Sequence, residues 1–534
     1  MKYAFLLCLV ATLPNILFAQ KLSDNFKVSR TSPYEVVDAG SKKYFGIGND
    51  QSLSVKTRSG IVTLQKFDVA SKKEVARKVH ADFPKYTKEQ EILQVDGHIY
   101  YISEAFDKKT RTFTVSAREI NPDDLSMGEL TTLFTTDREV TAPPAALGTQ
   151  TAFGFGFIGG NKFEVISSFD GSKFLIRYRL KPLTKIDANS YDELGFYVFD
   201  NKLKKLWGKE QKMPYTEQDM NNLAYTVSSD GTAYMLALVR ESKQIELFTI
   251  TENDFKAKAL DINKDLVFQK FDMLEDDKGN IACVAYYATG IEFKFGFGGS
   301  AFVFNTNGIY YFKLTPSGEV TDVQDIEFDI DFINQYRTDR EKDKNEKREK
   351  EGKAGIPDLQ LLEFKVEKDG SIFILGERSY VRNEFYGPKQ QTVYHFSNVV
   401  ATKLNADGSL RWMKKLPKNQ AGTAGRGGMG IKYIRGKNGH YVMFLDNVKN
   451  ANLTVAKAPE PHKDGAGGFL TAYMVDDATG EIEKHNILDV RDLQGVKLHQ
   501  FNTNRIFNVS DNLFLLETYI KDKRDMMIKI ELIE

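Results

Sequence analysis

The chain has 534 residues, with 73 acidic and 73 basic side chains, a net charge of zero and only 14 prolines. A neutral chain without a basic stripe is a poor match to nucleic acid, and so few prolines argue against a disordered or low-complexity protein. Aromatic residues make up 12%, including 38 Phe and 24 Tyr, which suits half-buried pleated strands.

Residues 1–19 read as a secretory signal peptide. Lys2 gives a positive start, Tyr3 to Leu13 an apolar run, and Leu17-Phe18-Ala19 a cleavage box before Gln20. The apolar run is far shorter than the ~20 residues a membrane-spanning helix needs. Cys8 lies inside that run and has no small-residue box around it, so lipid attachment is not expected. After cleavage only Cys283 remains, within the strand Ile281 to Ala285, so no intramolecular disulfide can form and a buried thiol is expected. An exported eukaryotic protein of this length usually carries several disulfides, which favours a bacterial envelope protein, periplasmic or secreted.

From residue 20 onward one pattern recurs. Tight-turn residues stand at Asn49-Asp50, Asp96-Gly97, Asp170-Gly171, Asp230-Gly231, Lys278-Gly279, Asp369-Gly370, Asn438-Gly439 and Asp511-Asn512. A second turn follows most of them, at Gly128, Asn201, Asn253, Gly318, Gly408 and Gly480. Such residues supply the positive φ angles of short hairpins, and alternating apolar runs flank them. Eight units of about four short strands each predict an all-β protein, a β-propeller, as one domain over residues 20–534.

The units are placed near 43–79, 90–136, 162–214, 222–262, 268–328, 360–417, 430–490 and 500–534. The last shows three strands, ending in Met526 to Ile533. Residues 26–38, including Tyr34 to Val37, are expected to supply its fourth strand and close the ring. Seven blades is the alternative, should the first or last unit be only partial. The C-terminal residues Ile528 to Glu534 read as a strand with no sorting tail or membrane anchor after them, which leads to the expectation of a soluble protein.

Three turns carry a family likeness: Asp407-Gly408-Ser409-Leu410-Arg411-Trp412, Asn201 to Trp207, and Asp476-Asp477-Ala478-Thr479-Gly480. They resemble the repeats of bacterial quinoprotein and kelch-like propellers. The quinoprotein docking turn pairs Thr-Gly with a Trp four residues later. Trp412 keeps that spacing without the Thr, and Lys484 stands where the Trp would follow Gly480. The resemblance therefore implies repeat architecture and no quinone; no cofactor is expected.

In a four-stranded meander, the first and third turns share one face and the remaining connections share the other. The tight turns fall in the first class. Insertions at 137–161, 181–192, 288–308, 330–359, 380–398, 417–429 and 447–468 fall in the second. One face is expected to be flat and the other elaborated, and binding residues concentrate on elaborated loops.

Phe153, Phe155 and Phe157 alternate with glycine in one insertion, as do Phe295 and Phe297 in another. Exposed, they would form an apolar patch for a partner; buried, they would be extra strands with close backbone packing. Residues 333–352 are dense in charge and read as a solvated helical insertion. Arg382, Glu384, Tyr386 and His395 share the 380–398 loop, and Arg426 lies in a glycine-rich interblade stretch.

Signals of chemistry are sparse. The seven histidines form no HxH or HExxH arrangement, so no metal site is expected. There is no Gly-x-Ser-x-Gly elbow, and no Lys-Ser/Thr follows the glycine runs. Asp276 to Asn280 hints at calcium, lacks the downstream Glu of an EF-hand and fits a blade turn. The expectation is a non-enzymatic propeller that binds an envelope protein or glycan through its long-loop face. The alternative is an enzyme acting on an extracellular carbohydrate or other polymer at the channel mouth.

Overall fold

The computed structural model describes residues 22–48, 50–71, 73–141, 162–183, 187–296, 299–386, 389–423, 429–437, 439–463 and 467–533. Phe153, Phe155, Phe297, Arg426 and the leader reading of residues 1–19 lie outside these residues. The protein is all-β, and among the described residues the strands form nine sheets, five of four strands, three of five and one of three; all but the three-stranded one contain a four-stranded antiparallel meander. Sheet 1 spans 41–80, sheet 2 88–136, sheet 3 163–216 and sheet 4 220–259. Sheet 5 spans 267–327, sheet 6 359–422, sheet 7 432–489 and sheet 8 506–532.

Sheet 8 takes its fourth strand from the opposite end of the chain. Phe26–Arg30 pairs antiparallel with Arg524–Leu532, Phe26 opposite Leu532 and Arg30 opposite Ile528. The strand thus lies upstream of Tyr34 to Val37. Tyr34–Glu35 makes only a two-residue pairing further along the same strand. Val28 packs on the apolar cluster between sheets 7 and 8, which explains why this segment takes the edge.

The inner strands do not alternate. Every residue of Ile281–Ala288, Gly308–Leu314 and Gly439–Asp446 is buried, because a neighbouring sheet covers each face. The outer strand Lys73–His80 is mostly exposed and charged. One apolar cluster fills each junction between consecutive sheets. Leu53, Val55, Ile99 and Tyr101 join sheets 1 and 2, and Phe373, Leu375, Val442 and Phe444 join sheets 6 and 7. Sheet 8 packs in turn on sheet 1, through Phe507, Leu515 and Met527 against Phe67 and Val69.

Turn glycines fit these junctions closely. Gly408 has φ +82°, and a Cβ there would lie 2.4 Å from the ring of Tyr311 on sheet 5. Gly480 has φ +70°, and its Cβ would lie 2.7 Å from Trp412 on sheet 6. Both conformation and space therefore require glycine.

Two insertions differ from their expectation as loops, and a third holds the helix expected of it. Residues 288–308 hold a hairpin, Ile291–Gly296 against Gly299–Thr306, whose base pairs with Ile356–Pro357. Phe295 sits in that hairpin, opposite Ser300. The 380–398 segment is mostly strand: Ile372–Tyr386 and Lys389–Leu404 run on past the sheet as one long hairpin. Its alternating Tyr380, Arg382, Glu384 and Val393, His395 have strand periodicity, and no Gly or Asp interrupts them before the tip. The charged insertion contains two helices, α1 (Ile330–Asn334) and α2 (Asp339–Glu349). α1 buries Phe332 and Ile333, whereas α2 is solvated and starts at a capping box in which Glu341 accepts from the Thr338 N–H and hydroxyl. Among the described residues no helix is long and apolar enough to cross a membrane.

Candidate functional site

Hydrogen bonds between neighbouring sheets sort the connections onto two faces. On one face, tight turn meets tight turn. Asn201 Nδ2 donates to Asp96 at 2.7 Å, the Trp207 indole to the Gly231 carbonyl at 2.8 Å, and the Trp412 indole to the Asp477 carbonyl at 3.0 Å. Asp276 to Asn280 is such a turn: Asp276 Oδ1 accepts the Lys278 and Asn280 N–H groups, both at 2.9 Å.

On the other face the insertions of sheets 5, 6 and 7 meet. The Thr289 hydroxyl donates to the Gly352 carbonyl at 2.9 Å, and Asn419 to the Pro459 carbonyl at 3.3 Å. Tyr336, between the helices, donates to the Val455 carbonyl at 2.5 Å and sits 3.2 Å from that of Lys415. Lys415 Nζ, itself buried, donates to the Phe332 and Ile333 carbonyls and so ties down the free C-terminal carbonyls of α1. Burial first, then the charges of Arg337 and Arg378, pull Lys415 down to about 7.

The long hairpin leaves this assembly with one cationic face. Residues two apart on a strand point the same way, so Arg378, Tyr380, Arg382 and Glu384 form a row, with His395 across from Tyr380. The Tyr380 ring has the Arg378 guanidinium 4.4 Å and the Arg382 guanidinium 4.6 Å from its centroid, and His395 stacks on it at 4.6 Å. His395 Nε2 lies 3.0 Å from Glu384 Oε1. Burial lowers the His395 pKa, Glu384 opposes that, and Arg382 and Arg378 add to it, which leaves the ring neutral near pH 7. Arg337 follows α1 and lies within reach of the same row; burial and then the Arg378 charge lower its pKa. Its side chain is only 9% exposed and pairs with Glu341 at 3.4 Å, while its Nε has no hydrogen-bond partner.

A cavity of about 190 Å³ opens in the sheet 7 insertion, lined by Asn447, His462, Lys463 and Arg491 among others. His462 is buried, and desolvation followed by the Lys418 charge brings it down to about 4.

The tight-turn face carries the one carboxylate–imidazole group among the described residues with metal-ligand spacing: Glu367, His440 and Asp477, at the junction of sheets 6 and 7. Two cations already fill it. Lys403 Nζ lies 3.0 Å from Glu367 and 2.9 Å from Asp477, and Arg435 lies 3.2 and 3.4 Å from the same pair. His440 Nε2 is 2.7 Å from Asp477, its Nδ1 faces the Tyr433 hydroxyl at 3.0 Å, and Phe373 stacks on the ring at 3.8 Å. Burial pulls His440 down to about 4 against its bond to Asp477. Burial pushes Asp477 up, but the Lys403 and His440 bonds outweigh it, and the carboxyl falls to about 2. With its acceptors saturated by cations, this group is a charged staple between sheets rather than a vacant ligand set.

Of the residues singled out from sequence, the structure brings Arg382, Glu384 and His395 together on the long hairpin, with Tyr386 at the hairpin's end. Phe295 belongs to the separate hairpin of sheet 5. Arg337, Arg378 and Tyr380 were not singled out. The period-two pattern Arg378-x-Tyr380-x-Arg382 is the signal that marks them as one strand face.

No protein-family model and no curated protein sequence matches the chain. Solved structures match loosely. A prolyl endopeptidase superposes at TM-score 0.39 and 10% identity over 94% of this chain and 56% of that one, so the chain spans little more than half its length. The WD40 domain of SCAP from fission yeast superposes at 0.37 and 7% identity over 96% and 98% of the two chains. The β-propeller domain of the Trilobed protease from Pyrococcus furiosus does so at 0.33 and 10% over 86% and 100%. Likenesses this loose carry no argument about activity, substrate or partner.

Proposed function

We propose that this protein is a closed, eight-bladed β-propeller that works as a binding module, exported into the bacterial cell envelope, and docks a macromolecular partner on its long-loop face. The reading rests on one observation above the others: two projecting hairpins, a helix pair and a long insertion all gather on one side of sheets 5 to 7 and are cross-linked there. Among the described residues the opposite side carries mostly short turns packed against one another. A rigid scaffold that elaborates one face is built for recognition.

Ring closure is supported by the packing of sheet 8 on sheet 1 and by the strand Phe26–Arg30. A buried charge network joins the same two sheets. Glu517 accepts from Lys56 at 2.5 Å, from the Tyr44 hydroxyl at 2.6 Å and from the Tyr34 hydroxyl at 2.7 Å, and Lys42 lies 3.3 Å away. Export is supported by the leader pattern of residues 1–19 and by the single cysteine beyond it, which is buried.

The test replaces residues 381–392 with a two-residue Asn-Gly turn and compares both proteins by native mass spectrometry after capture from envelope extract. A partner held by the parent chain and lost from the shortened one, with unchanged unfolding midpoints, is the expected result. Retention of the same partner overturns the reading. So does a bare chain carrying a small-molecule adduct, which favours the enzyme.

A further inference from the structure

We infer that the long hairpin of sheet 6 binds an extended acidic polypeptide segment, which adds as a strand along the hairpin's free edge and places carboxylates against Arg337, Arg378 and Arg382. This deepens the docking reading above and rests on it. Two independent features of the hairpin lead to the same occupant.

The first is the edge. Leu359–Val366, the strand beside Ile372–Tyr386, stops with Leu359 opposite Arg378. On the other side, Leu410–Gly422 stops with Gly422 opposite Tyr394. From Arg382 to Tyr386 the hairpin pairs only with itself, and among the described residues no strand lies beside Tyr380 to Tyr386 on the outer edge. Arg382, Asn383 and Lys389 to Thr392 are exposed there. An open row of backbone donors and acceptors on a projecting hairpin is a template for one more strand.

The second is charge. Arg378 Nε donates to the Pro357 carbonyl at 3.1 Å, and its Nη1 lies 3.5 Å from Ser397 Oγ; Glu341 feels its charge, but no carboxylate among the described residues lies within ion-pair distance of it. Arg382 packs on the Tyr380 ring and, among the described residues, has no carboxylate within ion-pair distance. Arg337 uses one nitrogen on Glu341 and keeps a buried Nε without an acceptor. Each guanidinium offers five donors in a planar fork that fits a carboxylate. Arg378 and Arg382 lie four residues apart on one strand face, with Tyr380 between them, so carboxylates on every second residue of an added strand fall in register with both. A neutral strand would leave these donors unmet, and a basic one would be repelled.

The probe is a fluorescein-labelled peptide of alternating Glu and Thr, with a Lys/Thr peptide as control, titrated by anisotropy against the parent chain and Arg382→Glu. Arg382 is exposed, so the variant should fold, and its unfolding midpoint is checked alongside. The acidic peptide should bind, more weakly as salt rises, and Arg382→Glu should weaken it at least ~10-fold, the scale of one charge-assisted hydrogen bond. Amides 380–386 should gain hydrogen-exchange protection in the complex.

Equal binding of both peptides, or of one peptide by both proteins, overturns the inference. So does binding of polygalacturonate with none of the acidic peptide, which assigns the arginines to an acidic glycan. A captured envelope partner that survives Arg382→Glu but is lost on shortening the hairpin overturns this inference and leaves the docking reading standing. A partner unaffected by either change overturns both.

Discussion

On the tight-turn side of the junction between sheets 6 and 7, Lys403 and Arg435 stand against Glu367 and Asp477, and the charges cancel. On the long-loop side of the same sheets, Arg378 and Arg382 have no carboxylate within ion-pair distance among the described residues, although Glu341 feels the Arg378 charge, and Arg337 keeps a buried nitrogen without a hydrogen-bond partner. The residue types are the same, and the buried Lys403 Nζ also lacks a directed hydrogen bond; what differs is how many carboxylates stand within ion-pair distance of the cations. Where they stand close, buried charge joins two sheets in one geometry. Where they do not, a half-buried Arg378 and an exposed Arg382 keep guanidinium donors without an ion-paired carboxylate among the described residues.

The comparison breaks most visibly if the balanced networks prove dispensable. Lys56 and Glu517 are both fully buried at the junction of sheets 8 and 1. Lys56→Met leaves the Glu517 carboxylate with only Lys42 and two hydroxyls, at an expected cost of about 3–5 kcal/mol. Denaturant unfolding measures it, and a loss under about 1 kcal/mol would mean that this junction does not depend on its charges.

The second expectation concerns pH. His440 is held neutral in the fold, its pKa brought down to about 4, mainly by burial, from an ordinary 6.5. The unfolded chain therefore binds a proton at a higher pH than the folded one. The stability tied to neutral His440 is whole above about pH 6.5 and is lost as pH falls toward 4, by about 3 kcal/mol in all. Asp477, depressed to about 2, loses its contribution in a lower window, as pH falls from about 4 to 2. His440→Gln should remove close to one proton's worth of slope from stability between pH 6.5 and 4. His462, also brought down to about 4, retains its own share. An unchanged slope would show that His440 is already charged in the fold.

Much of the sheet order was legible because turns are local. Gly408 and Gly480 need a positive φ, and the residues around them announce it. The long hairpin was harder to read, since an insertion between the second and third strands looks like a loop until its period-two pattern is followed past Ser379. The charge networks were not legible. Lys56 meets Glu517 only because the two ends of the chain come together, and Arg337 meets Arg378 only because α1 folds back under Lys415. Arg382, Glu384 and His395 were found by their residue types, but their alignment with Tyr380 depends on the register, Tyr380 opposite His395, that the extended hairpin sets.

The smallest expected effect sharpens the contrast most. Arg382 is exposed and packs on the Tyr380 ring with no ion-paired carboxylate among the described residues, so Arg382→Ala should change folding stability by no more than about 0.5 kcal/mol, as at other surface positions without a buried partner. Paired with Lys56→Met in the same denaturant series, it separates charge that holds sheets together from charge held ready on a rigid hairpin. If Arg382→Ala instead costs more than about 1 kcal/mol, the Arg–Tyr–Arg row is itself part of what keeps the hairpin upright. The unsatisfied arginines would then belong to the fold, and the long-loop face would differ from the tight-turn face in shape but not in purpose.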